Sequence, residues 1–218
     1  MSGGKISLVD ILPKGDVLQK IEREITFTAL ENDKLEKIIK LKPNDIFQIG
    51  ITSWDKYCND TPSQDKMVFA AECQTMDPLL YKKVRRVIGE PVINDIVYIK
   101  GEVQDDKLAD TLAIEFMAAH IYPNCLIIAD VMMGNPYKPL YPQRYDFQKF
   151  KGLGLFSKLL DNAKEYCRLK GIDEICLTAA DMPLKSLFEK HGFSVPNTWM
   201  GKAALKTGVG IPMVLKLA

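Results

Sequence analysis

Two glycines stand at what reads as the entrance of a helix, in the run Lys149-Phe150-Lys151-Gly152-Leu153-Gly154. Leu155, Phe156, Leu159, Leu160, Ala163 and Cys167 then recur at intervals of three and four, which predicts one buried helical face running to Lys170 and stopped by Gly171. First-turn N–H groups have no acceptors within their own helix, and the helix dipole adds partial positive charge there. With no Cβ on Gly152 or Gly154, a phosphate can approach those amides closely, and Lys149 and Lys151 add charge beside it. The expected chemistry is binding of a pyrophosphate or similar anion; the bland alternative is a tight turn with close helix-sheet packing. For proton transfer the nearest acids in the sequence are Asp130 and Glu115, with Tyr145 as a proton donor.

Positioning these groups requires a sheet. Cys125 to Met133 is apolar apart from Asp130 and reads as a strand buried on both faces. Glu174 to Thr178 reads as a second strand, followed by Asp181-Met182-Pro183 and a short helix with Leu184, Leu187 and Phe188 on one face. The 18 residues Gly134 to Lys151 hold three prolines and five aromatics, and are expected to form a lid or binding loop. Upstream, Val17 to Arg23, Asp33 to Lys40 and Leu79 to Ile88 have helical spacing, the last with a basic face of Lys82, Lys83, Arg85 and Arg86. Asp45 to Trp54 and Met67 to Thr75 are expected to be neighbouring strands and Val92 to Val103 a further strand, while Asp105 to Ile121 is ambiguous between a helix and a strand, with the helix favoured.

Composition narrows the function classes. Across 218 residues there are 29 Lys plus Arg against 28 Asp plus Glu, a formal charge of +1 that creates no field to gather polyanions, so nucleic acid is not an expected partner. The longest apolar run falls far short of the roughly 20 residues of a membrane-spanning helix, so no membrane partner is expected. The start Met-Ser-Gly-Gly-Lys lacks the pattern of a secretory leader, which leads to the expectation of a cytoplasmic protein. Five scattered cysteines and two histidines, without a Cys-x-x-Cys pair, argue against a disulfide framework and a zinc site. Cys176 reads as a packing residue.

The carboxyl-terminal third is more specific. Lys149-Phe150-Lys151-Gly152-Leu153-Gly154 resembles the Gln/Arg-x-x-Gly-x-Gly/Ala pyrophosphate loop of the GNAT superfamily of acyl-CoA-dependent N-acyltransferases, with Lys in the leading place. Asp181, Phe188, Gly192-Phe193 and the closing strand Ile211 to Leu217 occur in the order of that family's later elements, so the resemblance covers about Lys149 to Ala218. It implies an α/β fold, a mixed central sheet flanked by helices, in one domain over 1–218 with an acceptor-side half (1–125) and an acyl-CoA half (126–218). It implies acetyl-CoA or another acyl-CoA as co-substrate, no metal, and direct transfer to an amine on a small molecule or protein; a homodimer is compatible with it. The pyrophosphate would lie on the amides of Lys149, Phe150, Lys151, Gly152, Leu153, Gly154 and Leu155, and the pantetheine between the strands Cys125 to Met133 and Glu174 to Thr178. A backbone N–H among Val131, Met132 and Met133 would face the thioester oxygen.

There are departures. Many members carry a Tyr general acid where this chain has Phe188, and the link from central strand to glycine loop is unusually long. If Leu112 to Ala119 were the central strand instead, Glu115 would become the candidate base. Asp181 would face the cofactor, cap the helix begun by Met182-Pro183, or do both. Two rivals remain: an acyl-CoA-binding sensor without catalysis, and an NAD(P)-dependent oxidoreductase suggested by Gly152-x-Gly154-x-x-Ser157. Against the second, no strand is expected against the glycines, and the 64 residues after Gly154 are too few for the remainder of a nucleotide-binding sheet.

Overall fold

A computed structural model describes residues 6–60, 74–103, 111–143 and 149–217. Seven strands form the centre: β1 (Ile25–Glu31), β2 (Ile93–Val103), β3 (Leu112–Ile121), β4 (Cys125–Pro139), β5 (Phe150–Gly152), β6 (Glu174–Asp181) and β7 (Val209–Lys216). Their order is β1-β2-β3-β4-β6-β7, with β5 hanging on the far end of β4. All pairings are antiparallel except β4 with β6.

Side-chain alternation along the strands separates two cores. Val97 and Ile99 of β2, Phe116 of β3, Leu126 and Ile128 of β4 and Ile175 of β6 pack with α1 (Lys14–Ile21) and with Leu159, Leu160 and Ala163 of a long helix over Phe156–Lys170. Tyr98, Met117, Ile127 and Cys176 face the other way, against α2 (Leu35–Leu41), α3 (Pro43–Asp60) and α4 (Leu80–Ile88). We number the Phe156–Lys170 helix α5, followed by α6 (Met182–Glu189) and α7 (Trp199–Thr207). The mixed α/β sheet flanked by helices is therefore as expected from the sequence. No helix among the described residues is long and apolar enough to cross a membrane.

Several expected elements are corrected. Asp45 to Trp54 lies inside the 18-residue helix α3, not in a strand. Its apparent alternation coincides with a helix buried over a wide face, where Ile46, Phe47, Ile49, Ile51 and Trp54 are all covered. Pro43 at its start and Asp45 in its first turn are the helix-entry signals that outweigh the alternation. Gly50 allows α4 to approach, since a Cβ there would stand 2.9 Å from the Tyr81 amide nitrogen. Of the companion strand expected over Met67 to Thr75, residues 67–73 lie outside the described ones, and Gln74 and Thr75 are helical.

Leu112–Ile121 is strand β3 rather than part of a helix. It is central, with both faces covered, so its good helix formers Leu, Ala and Met carry no period-2 polar signal and the pairing with β2 and β4 decides. The expected long loop is also shorter. β4 continues to Pro139, and Phe150–Gly152 returns against it through Gly134↔Gly152, Asn135↔Lys151 and Pro139↔Phe150. A strand does therefore adjoin the glycines, but it is three residues long and antiparallel, unlike the central parallel strand of a dinucleotide-binding unit. Tyr145 lies outside the described residues.

Cys125 and Cys176 are joined in a disulfide, which the cysteine spacing did not suggest. Their contact comes from the parallel pairing of strands 51 residues apart in the chain, a relation that short-range spacing does not encode.

Candidate active site

The parallel pairing of β4 with β6 consists of Cys125↔Glu174, Leu126↔Ile175 and Ile127↔Cys176. Past it, β4 stays with β3 as far as Ile114↔Met133 and β6 stays with β7 as far as Asp181↔Val209. The two strands consequently part, leaving a V-shaped gap in the middle of the sheet. A bulge helps to turn β4 away: Met117 pairs with Asp130 and Ala118 with Ile128, so Ala129 has no opposite number. Peptide groups of β4 beyond Ile127 that face the gap have no β6 partner, and they supply N–H donors along its wall.

The glycine segment closes the open end of the V. The Leu153 amide donates to the Met133 carbonyl at 2.9 Å, tying the start of the segment to β4. Gly154 takes φ +68, a left-handed conformation that favours glycine, and a Cβ there would meet nothing within 4 Å. Helix α5 then begins with Leu155 as its N-cap and no side-chain cap, so its first-turn N–H groups are not claimed by a capping side chain. Leu153 and Leu155 are buried in the core and also line the cleft.

The resulting cleft has a volume of about 560 Å³. Val131, Met132 and Met133 from β4 line it, as do Lys149, Phe150, Gly152, Leu153, Gly154 and Leu155 from the glycine segment. Phe188 of α6 forms part of the wall, 5.3 Å between ring centroids from Phe156, and has no proton to give. Lys151 is exposed and does not line the cleft. Asp181 does not line it either; its carboxylate caps α6 by accepting from the Leu184 amide at 2.9 Å.

At the inner end the structure collects charged groups on the α2–α3 side of the sheet. Asp130 and Glu115 both line the cleft, and both bind one ammonium: Lys42 Nζ lies 2.6 Å from Glu115 Oε1 and 2.7 Å from Asp130 Oδ2. Tyr98 Oη donates to Glu115 Oε1 at 2.7 Å. Burial opposes the charge on Lys42, but its hydrogen bonds to Asp130 and Glu115 outweigh that and hold its pKa above the ordinary lysine value. Burial likewise keeps the Tyr98 hydroxyl protonated beyond the usual phenol range, helped by Glu115.

Asp45, in the first turn of α3, also lines the cleft. Burial, reinforced by the negative charges of Asp130 and Glu115 and opposed by Lys42, pushes its carboxyl up to about 7. A base poised near neutrality in a cleft is the property proton abstraction requires. Lys42, Asp45 and Tyr98 are absent from the sequence-based site. For Lys42 and Asp45 the only local signal is the helix start at Pro43, and nothing nearby in the chain indicates that the α2–α3 junction lies over β3 and β4.

No protein-family profile matches the chain, and no curated protein sequence does. Solved structures similar to it include acetyltransferases of the GNAT family. One, from Staphylococcus aureus Mu50, is 11% identical, covers 88% of this chain and 100% of its own, and has a TM-score of 0.37. A nourseothricin acetyltransferase is 18% identical over 57% of this chain and 67% of its own, with a TM-score of 0.36. A Bacillus subtilis acetyltransferase solved in complex with CoA is 17% identical over 64% of this chain and 88% of its own, with a TM-score of 0.33.

Proposed function

We propose that this chain is an acyl-CoA-dependent N-acyltransferase of the GNAT type, which moves an acetyl or other short acyl group directly from CoA to an amine. The observation that carries the reading is the V-shaped parting of parallel β4 and β6, with an uncapped, glycine-led helix entrance at its open end and a cluster of acids at its inner end. The diphosphate of CoA lies on the amides of Gly154 to Ser157, beyond the Leu153 amide that β4 already holds, with Lys149 adding charge. The pantetheine arm fills the gap and pairs with the β4 peptides that β6 leaves free.

The reaction asks for three things. The amine must be neutral, and Asp45 accepts its proton because its carboxyl titrates near 7. As the amine adds to the thioester carbonyl, negative charge on that oxygen is met by a β4 N–H among Val131 to Met133. The departing thiolate needs little help: an ordinary thiol has a pKa of about 8.5, so it leaves without a strong acid. This fits the phenyl ring of Phe188 and the distribution of hydroxyls, since Thr178 carries the one hydroxyl among the described cleft-lining residues. Burial first, and then the negative charges of Asp130 and Glu115, hold Asp45 in its raised state, against the opposing charge of Lys42.

Excess negative charge at the inner end favours a cationic acceptor, on a small molecule or a protein. The test is release of free CoA from acetyl-CoA, followed chromatographically, as a panel of amines is offered. Amine-dependent CoA release above the hydrolytic background supports transfer. Saturable acetyl-CoA binding without release under any amine would favour the sensor reading.

A further inference from the structure

The sheet is two half-sheets, β1-β2-β3-β4 and β6-β7, joined through the three residue pairs of the short parallel ladder. The Cys125–Cys176 disulfide crosses that same ladder diagonally, its Cα atoms 6.7 Å apart. Both sulfurs lie on the α3 side of the sheet, in the second core. The residues next along each strand are already cleft wall: Ile128 follows Ile127, the partner of Cys176, and Leu177 follows Cys176 itself. The covalent bond thus sits at the root of the V, where the two half-sheets begin to diverge.

One of its ends borders a cavity. Cys176 lines a second cavity of about 490 Å³, walled by Asp55 and Lys56 of α3, Glu174 of β6 and Thr198 ahead of α7. Cys125 does not line it, and both cysteines are buried, at 0% and 3% exposure. The two other cysteines among the described residues, Cys58 and Cys167, are free thiols elsewhere in the structure. A crosslink here removes conformational freedom from the fork whether or not anything is bound, adding to the three parallel pairs and to the core that both half-sheets share with α5.

We propose that Cys125–Cys176 is a redox-controlled staple that sets the spread of the cofactor cleft. The link to acyl-CoA rests on the function proposed above; the control of the fork does not. A dithiol reductant attacks the Cys176 sulfur, the S–S bond breaks, and a second attack releases the reductant as its own disulfide. Two electrons and two protons pass to the protein, which is left with two thiols. Oxidised, the fork is held at the separation that fits the pantetheine arm; reduced, it samples wider openings, and acyl-CoA affinity falls on the order of tenfold.

The experiment compares oxidised protein, dithiothreitol-reduced protein and the Cys125→Ala/Cys176→Ala variant in two independent measurements. Hydrogen exchange without any ligand is expected to be slow over residues 125–128 and 174–177 in the oxidised protein and faster in the other two. Acetyl-CoA titration is expected to give a dissociation constant about tenfold higher in the reduced protein, with the variant at that higher value whether or not reductant is present. A single variant, Cys58→Ala, should behave as the parent in both. Equal exchange in the oxidised and reduced proteins would overturn the staple, as would a metal ion held by Cys125, Cys176 and Glu174, whose ligand atoms lie within 4.8 Å of one another, in native mass spectrometry. Changed exchange with no acetyl-CoA binding in either state would uphold the staple and overturn the proposed function; changed exchange with equal affinity would overturn the control of affinity.

Discussion

The two ends of the cleft are built on different principles. The glycine end is one contiguous segment whose working groups are backbone amides, delivered by the start of a single helix. At the acid end, four side chains come from three elements and a junction: Lys42 between α2 and α3, Asp45 on α3, Glu115 on β3 and Asp130 on β4. Holding an anion needs only local backbone geometry and the absence of Cβ atoms. Setting a carboxyl near 7 needs burial and several fixed charges at once, and these come together only through tertiary packing. Under the proposed function, binding and proton chemistry are therefore expected to be separable by mutation.

The sharpest way to break that separation is at the glycines. Gly152→Asp puts a carboxylate among the amides without demanding a left-handed backbone, and a Cβ there meets nothing closer than the Met133 carbonyl at 3.9 Å. Acetyl-CoA affinity measured by calorimetry should fall at least about a hundredfold, since like-charge juxtaposition costs several kcal/mol. The thermal transition should remain cooperative. Gly154→Asp should bind as poorly and also lose stability, because its φ of +68 strains any other residue.

Asp45→Asn should do the opposite: keep acetyl-CoA affinity and lower kcat by about a hundredfold or more, the usual contribution of a positioned base. The parent's kcat should rise with pH through about 7, as Asp45 deprotonates, and that limb should vanish in the variant. Next in size is Lys42→Met, which leaves Glu115 and Asp130 facing each other without their shared cation. Since all three retain some exposure, the loss should be about 2–3 kcal/mol, below the cost of breaking a fully buried pair, and is read by chemical denaturation.

A smaller effect follows from the sign of the Asp45 shift. Its folded carboxyl holds a proton more tightly than the unfolded one, so its contribution is complete below pH 4 and is lost as pH rises to about 7. Asp45→Asn should therefore flatten that part of the stability curve. Denaturation midpoints of parent and variant at pH 4, 6 and 8 check this; an equal decline in both would place the titrating group elsewhere.

The same contrast explains what could be read from the sequence. Helix α5, its glycine entrance and its Gly171 stop follow from spacing within about 20 residues, and they are found where expected. The strands β4 and β6 were legible because both are apolar runs. β3 was not, because a strand covered on both faces shows no alternation, and neither was α3, whose wide buried face imitates alternation over ten residues. Glu115 and Asp130 could be named as acids, but their partner Lys42 and their neighbour Asp45 are brought to them by the crossing of α2–α3 over the sheet. The Asp181 carboxylate went to the helix cap, the local role that Pro183 signalled.

A crystal structure with bound acetyl-CoA bears most directly on the central idea that the fork between β4 and β6 is a cofactor cleft. The expected result is a diphosphate on the amides of Gly154 to Ser157, with the thioester carbonyl against β4 near Val131 and Asp45 facing the acyl carbon. Acetyl-CoA seated in the second cavity beside Cys176, or those amides closed over by protein groups with the ligand absent at saturating concentration, would contradict it.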